Sequence, residues 1–148
     1  MELILWRHAE AEDGRPDAER ALTKRGKRQA RSIAKWLDKR LPRRCVVLVS
    51  PAVRAQQTAA ALGRRRTTAP EVDVGVAART VIRRAGWPDA GGTVVVVGHQ
   101  PTLGRIAARL ISGTEADWAI KKGAIWWIEY RAGSGEALLR AVLDPEFV

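Results

Sequence analysis

The chain has 148 residues but only two histidines, and both stand directly after apolar runs. His8 follows Leu3–Trp6 and Arg7, and His99 follows Thr93–Val97 and Gly98. A third apolar run, Val46–Val49, leads through Ser50 and Pro51 to Arg54. A guanidinium fork matches phosphoryl oxygens in bidentate fashion, and a neutral imidazole is a competent nucleophile at phosphorus. Taken singly, a histidine after a strand is most often structural, and an arginine early in a helix is most often a surface residue. Two arginines and both histidines brought together would instead form a pocket for a tetrahedral phosphoryl group. That set supports phosphoryl transfer without a metal.

The elements that would position these groups follow from hydrophobic periodicity. Glu2–Trp6 is predicted as a buried strand, and residues 9–22, with Gly14 and Pro16, as a loop. Ala30, Ile33, Ala34, Leu37 and Leu41 recur at helical spacing within Thr23–Leu41, and Pro42 ends that helix. Cys45–Val49 is a β-branched second strand. Ser50 followed by Pro51 reads as an N-cap and first helical position, which predicts a helix over residues 50–63. Glu71–Val74 is expected as a third strand, residues 76–85 as a short helix and Gly86–Gly92 as a loop. Thr93–Val97, an unbroken β-branched run, reads as a central parallel strand. A helix is expected from Pro101 to about Ile111, and residues 124–131 and 136–143 as a hairpin around the sequence AGSG.

Alternating strands and helices closed by a hairpin imply a three-layer α/β/α sandwich. Its central sheet should be mostly parallel, with the C-terminal antiparallel hairpin towards one edge. No repeat or linker divides the chain, so residues 1–148 are read as a single domain. Ligands of open parallel sheets bind beyond the carboxyl ends of the strands. Arg7, His8, Arg54 and His99 are all delivered to that edge, and the helix opening at Ser50 would add a positive dipole end.

Composition narrows the function classes. No stretch approaches a membrane span, and the N-terminus lacks the pattern of a signal peptide. One cysteine, Cys45, cannot form an internal disulfide, which fits a reducing cytoplasm. It is expected to be an inert buried thiol. Two histidines and one cysteine are a poor set for a zinc site. The net charge of +10, from 26 basic and 16 acidic residues, favours anionic partners. The basic residues read first as solvated helix faces, then as a steering field for an anionic substrate. Nucleic acid comes last, because no recognisable binding motif is present.

The segments LILWRHAEAE, LVSPAVRAQQTAAAL and VVVVGHQPTLGRIAARL together resemble the three signatures of the histidine phosphatase, or phosphoglycerate mutase-like, superfamily. The short length and the segment RALTKRGKRQA are most similar to its SixA-type phosphohistidine phosphatases. The resemblance covers residues 1–112 by motif. It implies that His8 is the nucleophile and becomes transiently phosphorylated, that Arg7 and Arg54 hold the phosphoryl oxygens, and that His99 donates a hydrogen bond to them. Arg20 resembles a further basic residue that short members keep near the pocket. No cofactor is implied. Ala9 departs from the glycine that many members carry after the histidine, and would be strained if that position required φ > 0.

Larger relatives carry a glutamate on an inserted segment that protonates the leaving group; residues 69–84 offer no counterpart. Asp17 is the candidate substitute, with Glu10 and Glu12 behind it. Without a dedicated acid, an imidazole leaving group is favoured over an alkoxide. The expected reaction is hydrolysis of phosphohistidine on an acidic protein, such as a phosphotransfer or carrier domain, by a monomeric enzyme. The alternatives are a small-molecule phosphomonoesterase of the same superfamily and, in a different class, a non-catalytic phosphoryl- or polyanion-binding module.

Overall fold

Four consecutive valines, Val94–Val97, have no polar face to present to water, and they lie in a strand buried along its whole length. That strand, β4 (Thr93–Gly98), is flanked by β1 (Glu2–Arg7) and β2 (Val46–Val49), both parallel to it. The computed structural model describes residues 1–148 and arranges six strands in the order β3-β2-β4-β1-β5-β6. β3 (Thr67–Thr68) is parallel to β2, whereas β5 (Ile125–Arg131) and β6 (Glu136–Leu143) form the antiparallel hairpin.

The pleat divides the core into two. Ile4, Trp6, Val47, Val49, Val95 and Val97 point to one face, against α1 (Lys24–Asp38) and α2 (Val53–Ala60). Leu3, Leu5, Leu48, Val94 and Val96 point to the other, against α3 (Ala78–Ala85) and α4 (Thr102–Ser112). The result is the expected three-layer sandwich with a mostly parallel sheet. Each fully buried Val or Ile contributes about 1.5–3 kcal/mol, so this central strand pair anchors the site it carries. No helix is long and apolar enough to cross a membrane.

Three local expectations need correction. The helix predicted from Ser50 begins at Val53, with Ala52 as its cap and no side-chain capping bond. Ser50 Oγ does accept the Ala52 N–H at 3.2 Å, but its other contacts turn towards His99. The strand predicted at Glu71–Val74 is a 3-10 turn over Pro70–Val72. Proline cannot donate to a strand ladder and suits the first position of a turn, and Thr67–Thr68 takes the slot beside β2 instead. The alternation of Val72 and Val74 reflects one buried and one exposed side chain on that turn. Cys45, expected to be buried, is only half-buried, with Arg64 Nη1 3.6 Å from its Sγ.

The loop leaving β1 is stitched onto α1. Thr23 caps α1 by accepting the Gly26 N–H at 2.9 Å, and its own hydroxyl donates to Glu10 Oε1 at 2.9 Å. The Thr23 N–H donates to the Glu10 carbonyl at 3.0 Å, and the Glu10 N–H donates to Gln29 Oε1 at 3.0 Å. Gly26 is buried where α1 meets this loop, and a Cβ there would collide with the Glu10 carbonyl oxygen. Glycine-to-alanine in a helix interior ordinarily gains about 1 kcal/mol. Gly26→Ala should instead lose about 1–3 kcal/mol, seen as a lowered urea midpoint at unchanged m-value.

Candidate active site

Register carries the site residues to one layer. Val49 and Trp6 both pair with Val97, and Arg7 pairs with Gly98. The next residues along these strands, Ser50, His8 and His99, therefore emerge side by side at the carboxyl edge. Backbone bonds extend the ladder past the strand ends: the Ser50 N–H donates to the Val97 carbonyl and the His8 N–H to that of Gly98, each at 3.0 Å. The His8 and His99 ring centroids are 5.2 Å apart.

Arg54, two residues into α2, is 3% exposed and contacts both rings. Its Nε donates to His8 Nε2 at 3.3 Å, and its Nη2 lies 3.5 Å from His99 Nδ1. On its outer side Nη2 donates to Asp17 Oδ2 at 3.0 Å, and Nη1 to the Asp17 carbonyl at 2.8 Å. Three polar side chains after it tie α2 to the loops around the pocket. Gln56 Nε2 donates to the Ser50 carbonyl at 2.9 Å, Gln57 Oε1 accepts the Leu22 N–H at 2.7 Å, and Thr58 Oγ1 accepts the Ala9 N–H at 3.0 Å. The stretch RAQQT therefore supplies one cation and three braces, of which only the cation was anticipated.

The His8 tautomer follows from its neighbours. Nδ1 lies 2.8 Å from the Ala9 carbonyl, which can only accept, so Nδ1 carries the proton and Nε2 the lone pair. Burial, reinforced by His99, Arg54 and Arg7, outweighs that bond and lowers the His8 pKa to about 3. Burial and Arg54 lower that of His99 to about 4. Both rings are thus neutral near pH 7, and His8 presents an unprotonated nitrogen. Ala9 is fully buried with a negative φ, so the departure from glycine brings no strain; its methyl packs against Leu22 and Ala30.

Arg7 donates from Nη1 to the Ile120 carbonyl at 2.7 Å, while its Nε is buried with no protein acceptor. Together with His8, Arg54, His99 and Arg20 it lines a cavity of about 200 Å³. Gln100 and Lys122, which sequence reasoning missed, line it too. Lys122 arrives on the loop between α4 and β5, a segment whose sequence carries no motif. Larger grooves of about 490 and 690 Å³ lie at the amino ends of β2 and β4 and of β1 and β4, respectively, and include no histidine.

No carboxylate lines the 200 Å³ cavity. Asp17 is exposed at its rim, where Arg54 first and Arg20 second hold its pKa below the usual carboxylate range. An ionised carboxylate clamped by two guanidinium groups has no proton to donate at neutral pH, which argues against the expected acid role. Glu10 is engaged by the Thr23 hydroxyl and Arg25, and Glu12 is exposed with only its backbone bonded to Arg20.

Fold and site together define a class: an α/β sandwich with two arginines and two histidines around a pocket at the carboxyl edge of its sheet. Residues 3–79 match the histidine phosphatase superfamily (branch 1), and the chain belongs to that family. An uncharacterised Mycobacterium tuberculosis protein, Rv1276c, is 42% identical over 121 residues, covering 74% of this chain and 73% of the relative. An uncharacterised Picosynechococcus protein is 33% identical over 159 aligned residues, covering 99% of this chain and 93% of its own. The solved protein histidine phosphatase SixA, complexed with tungstate, superposes with a TM-score of 0.85 at 27% identity, covering 99% of each chain. The chain is thus of the SixA type within its superfamily, and a phosphatase in its general activity.

The buried neutral rings have a consequence for stability. A histidine whose folded pKa lies below its unfolded value of about 6.5 destabilises the fold as pH falls through 6.5, because only the unfolded chain takes up the proton. At pH 5 each ring should cost about 2 kcal/mol relative to pH 7.5. Urea denaturation at the two pH values should show this loss. The His8→Gln/His99→Gln double variant should flatten the pH dependence between them.

Proposed function

We propose that the chain hydrolyses phosphohistidine on an acidic protein through a phospho-His8 intermediate. The observation that carries this reading is the His8 tautomer: the Ala9 carbonyl holds Nδ1–H and leaves the Nε2 lone pair beside Arg54 and His99. In the first step Nε2 bonds to phosphorus as the substrate's P–N bond breaks. The leaving imidazole, protonated on its other nitrogen, departs neutral with the bonding pair. In the second, water attacks phosphorus, the P–Nε2 bond breaks, and phosphate and a proton leave. Arg7 and Arg54 hold the phosphoryl oxygens, His99 donates to one of them, and Arg20 guides the anion at the rim. Positive charge preorganised around the transferring group is the main source of rate.

The cavity's lack of a carboxylate supports an imidazole leaving group, which needs no acid, over an alkoxide, which does. The cationic rim, with Arg20 and Lys122, complements an acidic protein face. Asp17 serves in this reading as the clamp of Arg54 rather than as a proton donor.

Turnover of a histidine-phosphorylated phosphotransfer domain should exceed that of sugar, nucleotide and amino-acid phosphates by about 10²-fold or more in kcat/KM. A metabolite that wins by that margin replaces the protein substrate. His8→Ala should abolish hydrolysis, and Arg54→Ala should lower kcat by about 10²–10³-fold. Binding of polyanions by the wild type without any turnover would mark a binding module instead.

A further inference from the structure

His99 has two ring nitrogens, and the structure specifies what each one faces. Nδ1 lies 3.5 Å from Arg54 Nη2. A guanidinium donates and never accepts, so Nδ1 presents a lone pair and the ring proton sits on Nε2. Nε2 lies 2.7 Å from Oγ of Ser50, which is wholly buried. Ser50 Oγ thus accepts from His99 and from the Ala52 N–H at 3.2 Å. Its own hydroxyl proton has one acceptor in reach, Asp73 Oδ1 at 3.4 Å. Asp73 Oδ1 is itself fixed by the Val74 N–H at 2.7 Å. A chain from His99 Nε2–H through Ser50 to the Asp73 carboxylate uses both acceptor positions and the single donor of the serine.

This chain conflicts with the resting state of Nδ1. An ionised phosphoryl oxygen only accepts, and so does a bare Nδ1, so the two cannot bond unless Nδ1 gains a proton. We propose that phosphoryl binding draws one proton onto His99 Nδ1, and that Ser50 and Asp73 are positioning residues that hold the Nε2 proton and supply the countercharge to the imidazolium. The inference rests on the reading of His99 as a phosphoryl-binding residue. Ser50 and Asp73 act through His99 and do not touch the substrate.

The charges around the ring decide when the proton is taken up. Arg54 from α2 and Arg7 from the end of β1 oppose it, while Asp73 and Asp17 favour it. Arg20, Lys122 and His8 are the other titratable groups that line the cavity. A bound dianion offsets Arg54 and Arg7, which tips the balance towards the imidazolium. Hydrogen bonds to a charged partner are the stronger kind, so the 2.7 Å contact with Ser50 gains strength when the ring ionises.

Tungstate is a suitable probe because it carries no proton of its own near neutral pH. The chain's two histidines give four ring nitrogens, which nitrogen-15 NMR resolves once His8→Gln and His99→Gln have assigned them. In the free wild type at pH 7.5, His99 should show a protonated Nε2 and a bare Nδ1. Saturating tungstate should protonate both. In Ser50→Ala and Asp73→Asn the doubly protonated state should require a pH lower by about one unit or more, and tungstate affinity at pH 7.5 should fall about tenfold. Ser50→Thr, which keeps the hydroxyl, should restore both. Asp73→Asn keeps the side-chain shape and serves if Ser50→Ala does not fold.

A bound state with only one His99 nitrogen protonated would overturn the proposal. So would variants whose His99 titrates as in the wild type. Failure of tungstate to perturb any ring nitrogen would instead remove the anion site on which the proposed function rests, and this inference with it.

Discussion

A single buried cation organises this protein's active edge. Arg54 contacts His8, His99 and Asp17 at once, and every other feature of the site answers to it. A guanidinium is always charged and only donates, so each imidazole nitrogen that faces it must carry a lone pair. The same charge, added to burial, keeps both rings from ionising. Asp17 offsets part of that charge from the solvent side, where it opens to water without blocking the cavity. The chemistry of the pocket is therefore written in the electrostatics of one side chain held in a short helix.

Arg54 is held there by braces that carry no charge. Gln57 and Thr58 reach from α2 to the two ends of the β1–α1 loop and Gln56 to the β2–α2 loop, while Gly26 lets α1 close onto the loop that leaves β1. The sheet supplies the remaining order, because adjacent parallel strands in register end at the same level. Preorganisation of this kind lets charge act on the transferring phosphoryl group without reorganising the protein at the moment of reaction.

The absence of a carboxylate in the cavity gives the site its chemical character. In the proposed reading, a cavity lined by no carboxylate suits a leaving group that departs without a protein acid, as an imidazole does. In the proposed coupling His99, linked through Ser50 to Asp73, is the ring whose charge changes when an anion binds. Coupling of proton uptake to anion binding would let a pocket of neutral rings hold a dianion tightly and release phosphate when the proton leaves.

Much of this was legible in the residues themselves. The runs before His8 and His99 specify strands because short unbroken apolar stretches cannot face water, and polar residues immediately after them must stand at the strand ends. The alternation of elements specified the sandwich, and the spacing of α1 specified its buried stripe. Where sequence reasoning misled, short-range signals were ambiguous. Ser50 before Pro51 looks the same whether the hydroxyl caps a helix or meets a histidine, and Pro70–Val74 alternates apolar residues without forming a strand. Neither choice is local, because a hydroxyl bonds to whichever partner the fold brings within 3 Å or so. The sequence by itself determined which groups reach the active edge, through strand periodicity. Only the tertiary structure decided which nitrogen of each ring holds a proton, that Asp17 pairs with Arg54 and Arg20, and that Lys122 joins the cavity. Apart from the bond of His8 to the carbonyl of its neighbour Ala9, those outcomes depend on distances between residues far apart in the chain, and no pattern along one segment encodes them.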